Sequence, residues 1–185
     1  VDDPFFDYPQ VAYCQGDADP IATNIATAGG TFSGPTQVVF LNTSTGLIDL
    51  DASTVGGPYA IKYVTTGPCP DSTTFNITIN PIENPSFGYG ASSYCTNGAD
   101  PSPSFITEPG GSFSEITGDL NVNGSGTINV SSSTPGTYWV VYTTGGPCPE
   151  IDSVQVTING VDDPFFDYPQ VAYCQGDADP IATNI

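Results

Sequence analysis

The sequence lacks histidine and methionine, and Lys62 is its only lysine or arginine beside 20 acidic residues. Without an imidazole, a serine nucleophile has no evident activating base, and the commonest metal ligand is missing. The formal net charge of −19 leaves almost no cations to neutralise phosphates, and anionic lipid headgroups would repel such a surface. We therefore expect no enzyme activity, no nucleic-acid partner and no direct insertion into a membrane.

Long apolar runs are also absent, so the sequence predicts neither a transmembrane helix nor a signal peptide. The missing methionine indicates a segment of a longer chain. What the chain does have is 10 Tyr, 10 Phe and 38% apolar residues, which is enough to build a core despite the charge. Its 21 Gly and 18 Pro separate short β-rich runs, as turns do in an all-β protein.

The sequence repeats itself at two levels. Residues Val1–Ile25 recur letter for letter as Val161–Ile185, so the unique content is one unit of 160 residues. Within this unit, three of the matched blocks are Tyr13-Cys14 with Tyr94-Cys95, Gly29–Ser33 with Gly110–Ser114, and Thr65–Pro70 with Thr143–Pro149. This pattern predicts module 1 at 1–80, a linker at 81–84, module 2 at 85–160 and the start of another type 1 module at 161–185.

Each module reads as a series of about seven short strands, which predicts tandem immunoglobulin-like β-sandwich modules arranged end to end. The predicted strands of module 1 are Phe5–Tyr8, Ile21–Ile25, Thr31–Ser33, Gln37–Leu41, Leu47–Leu50, Tyr59–Thr65 and Thr74–Ile79. Those of module 2 are Ser104–Thr107, Gly111–Ser114, Asp119–Val122, Thr127–Val130, Tyr138–Thr143 and Ser153–Ile158.

The penultimate strand of each module alternates with a period of two. This alternation predicts Ile61, Tyr63 and their counterparts in the core, with Lys62 and Trp139 pointing outward. Prolines in the linkers make stiff joints, so the modules are expected to form a rod. An outward Trp139 is a candidate lateral contact or ligand platform, unless a neighbouring loop or module covers it.

The five cysteines make an even count once the repeat is applied. Cys14 and Cys69 lie 55 residues apart in module 1, and Cys95 and Cys148 lie 53 apart in module 2. We expect the intramodule disulfides Cys14–Cys69 and Cys95–Cys148, with the partner of Cys174 outside this segment; bridges between modules are the main alternative. Disulfides imply an oxidising, extracellular location.

Acidic residues gather near the predicted joints. Their carboxylates can bind Ca²⁺, and a bound ion would make the joint more rigid. The alternative is that these aspartates begin turns and keep the surface soluble. No other cofactor is indicated. The candidate calcium ligands are Asp2, Asp3, Asp17, Asp19, Asp162, Asp163, Asp177 and Asp179.

Several hydroxyl and amide side chains stand in glycosylation patterns. The Asn-x-Ser/Thr triplets make Asn42, Asn76, Asn123 and Asn129 candidate N-glycosylation sites. Ser72 and Ser153 each follow an aspartate after the Gly-Pro-Cys-Pro turn, so the two serines are expected to occupy equivalent positions in the two modules. These short patterns resemble the O-glycosylation acceptors of Bacteroidetes, although each also fits a turn that begins a strand.

Taken in order, the blocks resemble the tandem Ig-like repeats of large Bacteroidetes surface proteins. The blocks are Tyr-Cys…Asp-Pro, Gly-Gly-Thr/Ser-Phe-Ser, Ser44–Leu50, Ser133–Tyr138 and Thr-Thr-Gly-Pro-Cys-Pro. The resemblance implies export by the type IX route and display at the cell surface as an adhesin or filament. Module 1 departs from the pattern at Val55–Tyr59, where module 2 keeps Pro135–Tyr138.

We therefore expect a structural repeat segment of an extracellular filament or adhesin stalk, whose partners are neighbouring repeats. One alternative is a module that binds surface glycans or other cells. Another is a subunit of a non-covalent polymer in which copies exchange a strand.

Overall fold

The computed structural model describes residues 2–162 and 164–183, and these are organised almost entirely as β-strands. Their one helical turn is the 3-10 helix Val130–Ser132. The strands are β1 Ala12–Cys14, β2 Thr31–Ser33, β3 Val39–Asn42, β4 Leu47–Asp49, β5 Gly56–Val64, β6 Ser72–Asn80, β7 Phe87–Tyr89, β8 Ser93–Cys95, β9 Pro103–Ile106, β10 Ser112–Glu115, β11 Gly136–Thr143 and β12 Ile151–Asn159. No helix in the described ranges is long and apolar enough to cross a membrane.

Module 1 is a two-layer sandwich. Its larger sheet has the order β1-β6-β5-β2, and β3 and β4 pair in the facing layer, where an isolated bridge joins Asp7 to Thr23. The core between the layers consists of Phe6, Tyr8, Tyr13, Ala22, Phe32, Val38, Ile48, Leu50, Ile61, Tyr63, Ile77 and Ile79. The residues that contribute to it come from almost the whole module.

Module 2 repeats this architecture around a separate core. The larger sheet has the order β10-β11-β12-β8, and β7 pairs with β9 opposite it. The core consists of Phe87, Phe113, Leu120, Ile128, Val130, Tyr138, Val140, Tyr142, Val156 and Ile158. The predicted fold class, all-β with tandem immunoglobulin-like sandwiches, is confirmed by these sheets.

The period-two alternation of the penultimate strands is also confirmed. Ile61 and Tyr63 of β5 are buried, and so are Val140 and Tyr142 of β11. Between them Lys62 is exposed, and Trp139 is 52% exposed on the outer face. The buried side chains of these strands therefore face the opposite layer of each sandwich.

The Gly-Gly-x-Phe-Ser block has a packing reason in both modules. The Tyr63 hydroxyl accepts a hydrogen bond from the Gly30 N–H (2.9 Å) and donates to the Thr27 carbonyl (2.7 Å). A Cβ at Gly30 would overlap this ring and hydroxyl, so only glycine fits. Tyr142 repeats the arrangement, accepting from the Gly111 N–H at 2.9 Å.

Two strands that the sequence analysis did not predict decide how each module is oriented. β1 runs parallel to β6 with Cys14 opposite Asn80, and β8 runs parallel to β12 with Cys95 opposite Asn159. The first strand of a module and its last strand therefore point the same way. We call the end at which β6 or β12 finishes the exit end, and the opposite end the entrance end.

Other predicted strands are shorter than expected. The segments Phe5–Tyr8 and Ile21–Ile25 pair as strands at a single position, the Asp7–Thr23 bridge. In module 2 the predicted strand Thr127–Val130 contributes a single bridge at Ile128 before the 3-10 helix begins. The Asn129 side chain caps this helix by accepting from the Ser132 N–H, which competes with strand pairing.

The start of the next module has the local pairing of module 1 without its core. Asp167 pairs with Thr183 as Asp7 pairs with Thr23. The aromatic side chains are uncovered, however: Phe166 is 58% and Tyr168 44% exposed, whereas Phe6 and Tyr8 are each 3% exposed.

Candidate functional site: the junction between modules

A disulfide joins the two modules at their junction. Cys14 lies at the exit end of module 1, where β1 finishes beside Asn80. Cys148 lies in the Gly-Pro-Cys-Pro turn before β12, at the entrance end of module 2. The two cysteines are bonded with a Cα–Cα distance of 5.8 Å across a sequence separation of 134 residues.

This bond shows that the expected intramodule pairs Cys14–Cys69 and Cys95–Cys148 are wrong. Within module 1, Cys14 aligns with the last residue of β6, whereas Cys69 precedes its first residue, Ser72. A strand of nine residues spans about 26 Å at ~3.3 Å per residue. A disulfide needs Cα atoms within roughly 7 Å, so the two thiols of one module cannot meet.

The same strand geometry separates Cys95 from Cys148 in module 2. Cys95 aligns with Asn159 at the end of β12, and Cys148 precedes Ile151 at its start. Cys69, Cys95 and Cys174 carry free thiols and are exposed. Cys148, in contrast, is 4% exposed, because the junction covers it.

The turn that carries the second cysteine has the same length in both modules. Thr65 and Asp71 close it in module 1, where the Asp71 N–H donates to the Thr65 hydroxyl (2.8 Å). Thr144 and Glu150 close it in module 2 with the same bond at 2.8 Å. Gly145 therefore replaces Thr66, and it is not an insertion as the sequence alignment implied.

The linker residue Ile82 packs against module 1 beside the disulfide. A Cβ added at Gly16 would lie 3.0 Å from the Ile82 Cδ1 atom, so the two residues are in close contact. A cleft of about 300 Å³ opens here; it is lined by Cys14, Gln15, Gly16, Asp17, Ile82, Cys148, Pro149 and Glu150. The cleft thus contains the bonded cysteines and residues from both modules.

The next linker residue, Glu83, binds the turn of module 2. Its carboxylate accepts hydrogen bonds from the N–H groups of Gly146 (3.1 Å) and Cys148 (3.3 Å). The hydrogen bond from Thr144, together with these backbone donors, holds the pKa of Glu83 below its ordinary value. A Cβ at Gly146 would overlap the carboxylate, which explains the glycine.

Asp2 lies over the corresponding turn of module 1, but its buried Oδ2 atom accepts no hydrogen bond there. A Cβ at Gly67 would overlap the Asp2 carboxylate, and the Asp2 N–H donates to the Cys69 carbonyl at 3.4 Å. The contacts of Asp2 and Glu83 with these turns were not predicted from the sequence. The available signal was an acidic residue two positions before Pro4, Pro85 and Pro164.

The candidate calcium ligands are not gathered into one site. In the described ranges, no group of three or more Asp, Glu, Cys or His side chains is placed to hold a metal ion. Asp3, Asp17 and Asp19 instead accept backbone hydrogen bonds from Phe5, Cys14 and Leu50. Asp177 repeats the bond of Asp17 by accepting from the Cys174 N–H, and Asp163 lies outside the described residues. Calcium binding stays a prediction.

Three of the candidate N-glycosylation asparagines shape turns. Asn42 accepts from the Ser44 N–H, Asn123 from the Ser125 N–H, and Asn129 from the Ser132 N–H. Asn76 is exposed on β6.

Ser72 and Ser153 are exposed near the start of β6 and β12, but they are not equivalent as the sequence alignment implied. Strand register pairs Ser72 with Val64, and it pairs Ser153 with Val141. Counted from the turn cysteine, Ser153 therefore stands two residues further along its strand than Ser72. Because side chains alternate along a strand, both serines face outward.

Trp139 lies on the same outer face as Ser153. It pairs with Gln155 across β11 and β12, next to the pair formed by Val141 and Ser153. In module 1, Ala60 takes the place of Trp139, so this aromatic is specific to module 2.

No protein-family model and no curated protein matches the chain. Among solved structures, the chain is similar to mouse cadherin-23 EC22-24, with 15% identity over 90% of this chain and 69% of that chain, at a TM-score of 0.32. It is also similar to murine CEACAM1b, with 13% identity over 84% and 98% of the two chains and a TM-score of 0.43. The human desmocollin-1 ectodomain gives 9% identity over 90% and 43%, with a TM-score of 0.35. At identities and TM-scores this low, no functional conclusion follows from the overlaps.

Proposed function

We propose that the chain is a structural repeat segment of an extracellular filament or adhesin stalk, in which Ig-like modules follow one another in tandem. The observation that carries this proposal is the doubly connected junction. The backbone linker and the Cys14–Cys148 disulfide both join module 1 to module 2. A junction with two covalent connections suits a part that must keep its geometry under load.

The path of the chain through each module supports an extended array. Asp2 lies beside the Cys69 turn at the entrance end, and β6 delivers the chain to the linker at the exit end. The chain therefore advances by at least the length of β6 per module, about 26 Å at ~3.3 Å per residue. Modules connected in this way add length instead of forming a cluster.

A disulfide in this position fits an oxidising compartment, which agrees with an extracellular location. The net charge of −19 would keep neighbouring fibres apart at low salt. Display at a bacterial surface after type IX export remains part of the proposal, because it depends on the resemblance to Bacteroidetes surface repeats. Neighbouring repeats of the same chain are the proposed partners.

The mass of the native material after denaturation and reduction tests the proposal. A covalent tandem array predicts a species of many 160-residue units that survives reduction. A species of one or two units would contradict the tandem array.

That second outcome would favour a non-covalent polymer in which copies exchange a strand. Phe166, Tyr168 and Tyr173 are 58%, 44% and 38% exposed, although their counterparts in module 1 are buried. The remainder of a type 1 module would cover them. In a polymer of short chains, this remainder would come from another copy.

A binding role for the outer face of module 2 rests on Trp139. An aromatic side chain that is 52% exposed on a strand can stack on a sugar ring. Glycan-array binding by residues 1–160 that is lost in Trp139→Ala, but kept in the control Gln155→Ala, would support it. Equal binding by both variants would exclude Trp139 as the platform.

O-glycosylation at Ser72 and Ser153 stays a proposal supported by their exposure. Intact-mass measurement of native material tests it. A glycan mass lost separately in Ser72→Ala and Ser153→Ala would support both sites, and native peptides with unmodified serines would contradict it.

A further inference from the structure

Two cysteines of the complete modules have no partner within the described chain. Cys95 occupies the exit end of module 2, as Cys14 does in module 1. Cys69 occupies the entrance turn of module 1, as Cys148 does in module 2. We propose that Cys95 bonds the turn cysteine of the module that follows, and that Cys69 bonds the Tyr-Cys cysteine of the module that precedes. The result is a ladder of disulfides, one across every junction.

The exit position of Cys95 reproduces that of Cys14 in detail. Tyr13 and Cys14 pair with Ile79 and Asn80, and Tyr94 and Cys95 pair with Ile158 and Asn159. In both modules the residue after the cysteine donates its N–H to the final asparagine carbonyl, at 3.0 Å from Gln15 and 2.9 Å from Thr96. Both thiols are therefore held by the backbone at the same end of the larger sheet.

The entrance position of Cys69 likewise reproduces that of Cys148. The turn is closed by the same Thr hydroxyl bond, at 2.8 Å in each module. An acidic side chain from the preceding segment lies over the turn glycine in both cases, Asp2 over Gly67 and Glu83 over Gly146. Cys69 is exposed, whereas Cys148, which the junction with module 1 covers, is 4% exposed.

The joints between the modules have the same length, and each has an apolar residue followed by an acidic one. Four residues lie between Asn80 and Pro85, and four lie between Asn159 and Pro164. Val161 stands where Ile82 packs, and Asp162 stands where Glu83 binds the turn. A type 1 module placed by this second joint presents its turn cysteine to Cys95 as module 2 presents Cys148 to Cys14.

Each bond forms when two thiols lose two electrons and two protons to a disulfide-bearing oxidant, which leaves as two thiols. The ladder rests on the proposed tandem array, since it needs modules on both sides. Its connectivity is always from one module to the next, because the strand length forbids pairing within a module.

A chain of two consecutive 160-residue units tests this connectivity. After oxidative folding, free thiols are alkylated, the chain is digested without reduction, and disulfide-linked peptides are identified by mass spectrometry. We expect three bonds: Cys14–Cys148, Cys95 to the second unit's Cys69, and Cys174 to the second unit's Cys148. Free Cys95, or a bond of Cys95 to Cys148, would overturn the proposal.

The repeat supplies a matched control. Cys69→Ser in the first unit should leave all three bonds intact, because that thiol has no preceding module. The same substitution in the second unit should remove one bond and free Cys95. Equal bond counts in the two variants would contradict the ladder, even if both variants fold.

This outcome is separable from that of the proposed function. If native material keeps its high mass after reduction while Cys95 is free in the two-unit chain, the tandem array stands and the ladder fails. If the bonds form but reduction yields single units, the ladder stands and the peptide-linked array fails.

Discussion

Among single residues, one tyrosine in each module supplies the hydrogen-bond acceptor that a backbone N–H group needs. The Tyr63 hydroxyl satisfies the buried Gly30 N–H, and Tyr142 does the same for Gly111. Tyr63→Phe keeps the ring and leaves this donor without a partner, which costs about 1–3 kcal/mol of unfolding free energy. Denaturant titration measures the loss.

Tyr59→Phe is the control for this change. The Tyr59 hydroxyl donates to the Thr54 carbonyl at an exposed position, where water can replace it. We expect its unfolding free energy to change by much less. A similar loss in both variants would show that the Gly30 contact is not the cause.

The junction cysteine permits a second prediction at this scale. Cys148→Ser should raise the free thiols of the oxidised, denatured chain from three to four by freeing Cys14. Loss of a disulfide that closes a loop of this length lowers the free energy of unfolding by up to about 5 kcal/mol in the chain-entropy description. Thiol titration and a melting curve measure the two effects.

Cys69→Ser, the matched control, should lower the thiol count to two and leave the melting curve unchanged, because Cys69 has no bond to lose in this chain. If Cys69→Ser instead destabilised the chain as much as Cys148→Ser, the pairing across the junction would be wrong.

At the scale of elements, the linker is fixed by an ionised carboxylate. Hydrogen bonds from Thr144 first, then from the Cys148 and Gly146 N–H groups, lower the pKa of Glu83. A lowered folded-state pKa contributes stability above the ordinary carboxyl pKa, and the contribution is lost as the pH falls through the folded value. Glu83→Gln should therefore melt at a lower temperature than the wild type at neutral pH.

The two melting temperatures should converge on acidification, because protonated Glu83 resembles glutamine. Glu150→Gln is the control, since Glu150 joins Thr144 through its backbone groups. A difference between Glu83→Gln and wild type that persisted unchanged at low pH would contradict the role of the charge.

The elements also show what sequence patterns can and cannot predict here. Alternation in β5 and β11 correctly predicted which side chains are buried, because it is a local property of a long strand. β1 and β8 were missed because three residues such as Ala12-Tyr13-Cys14 carry no periodicity. Their parallel pairing with β6 and β12 depends on residues more than 60 positions away.

Missing β1 is also why the disulfide pairing was predicted wrongly. Sequence spacing of 55 residues is compatible with a bond between Cys14 and Cys69, and only the register against Asn80 places the two thiols at opposite ends. The contacts of Glu83 were not predicted for a related reason, since the turn that it binds lies 63 residues further along the chain.

At the scale of the whole molecule, the junction bond limits how far the chain can be stretched. The segment between Cys14 and Cys148, a sequence separation of 134, carries no pulling force while the bond is intact. Pulling the ends of residues 1–160 in a force spectrometer should release about 450 Å of additional length once the chain is reduced, at ~3.4 Å per residue.

The intramodule pairs would give a different record. Bonds spanning 55 and 53 residues would each hide roughly 180 Å, so reduction would lengthen two separate unfolding steps instead of adding the larger total. Cys69→Ser should behave as the wild type in this measurement.

The disulfide across the junction also determines what a proteolytic cut does to the chain. Every peptide bond between Cys14 and Cys148 lies inside a ring closed by sulfur, so a single hydrolytic cut there opens the ring and leaves both fragments attached. Lys62, the one site for a trypsin-like protease, lies inside that ring. A trypsin-like protease in an environment poor in reductants would therefore nick this chain without severing it.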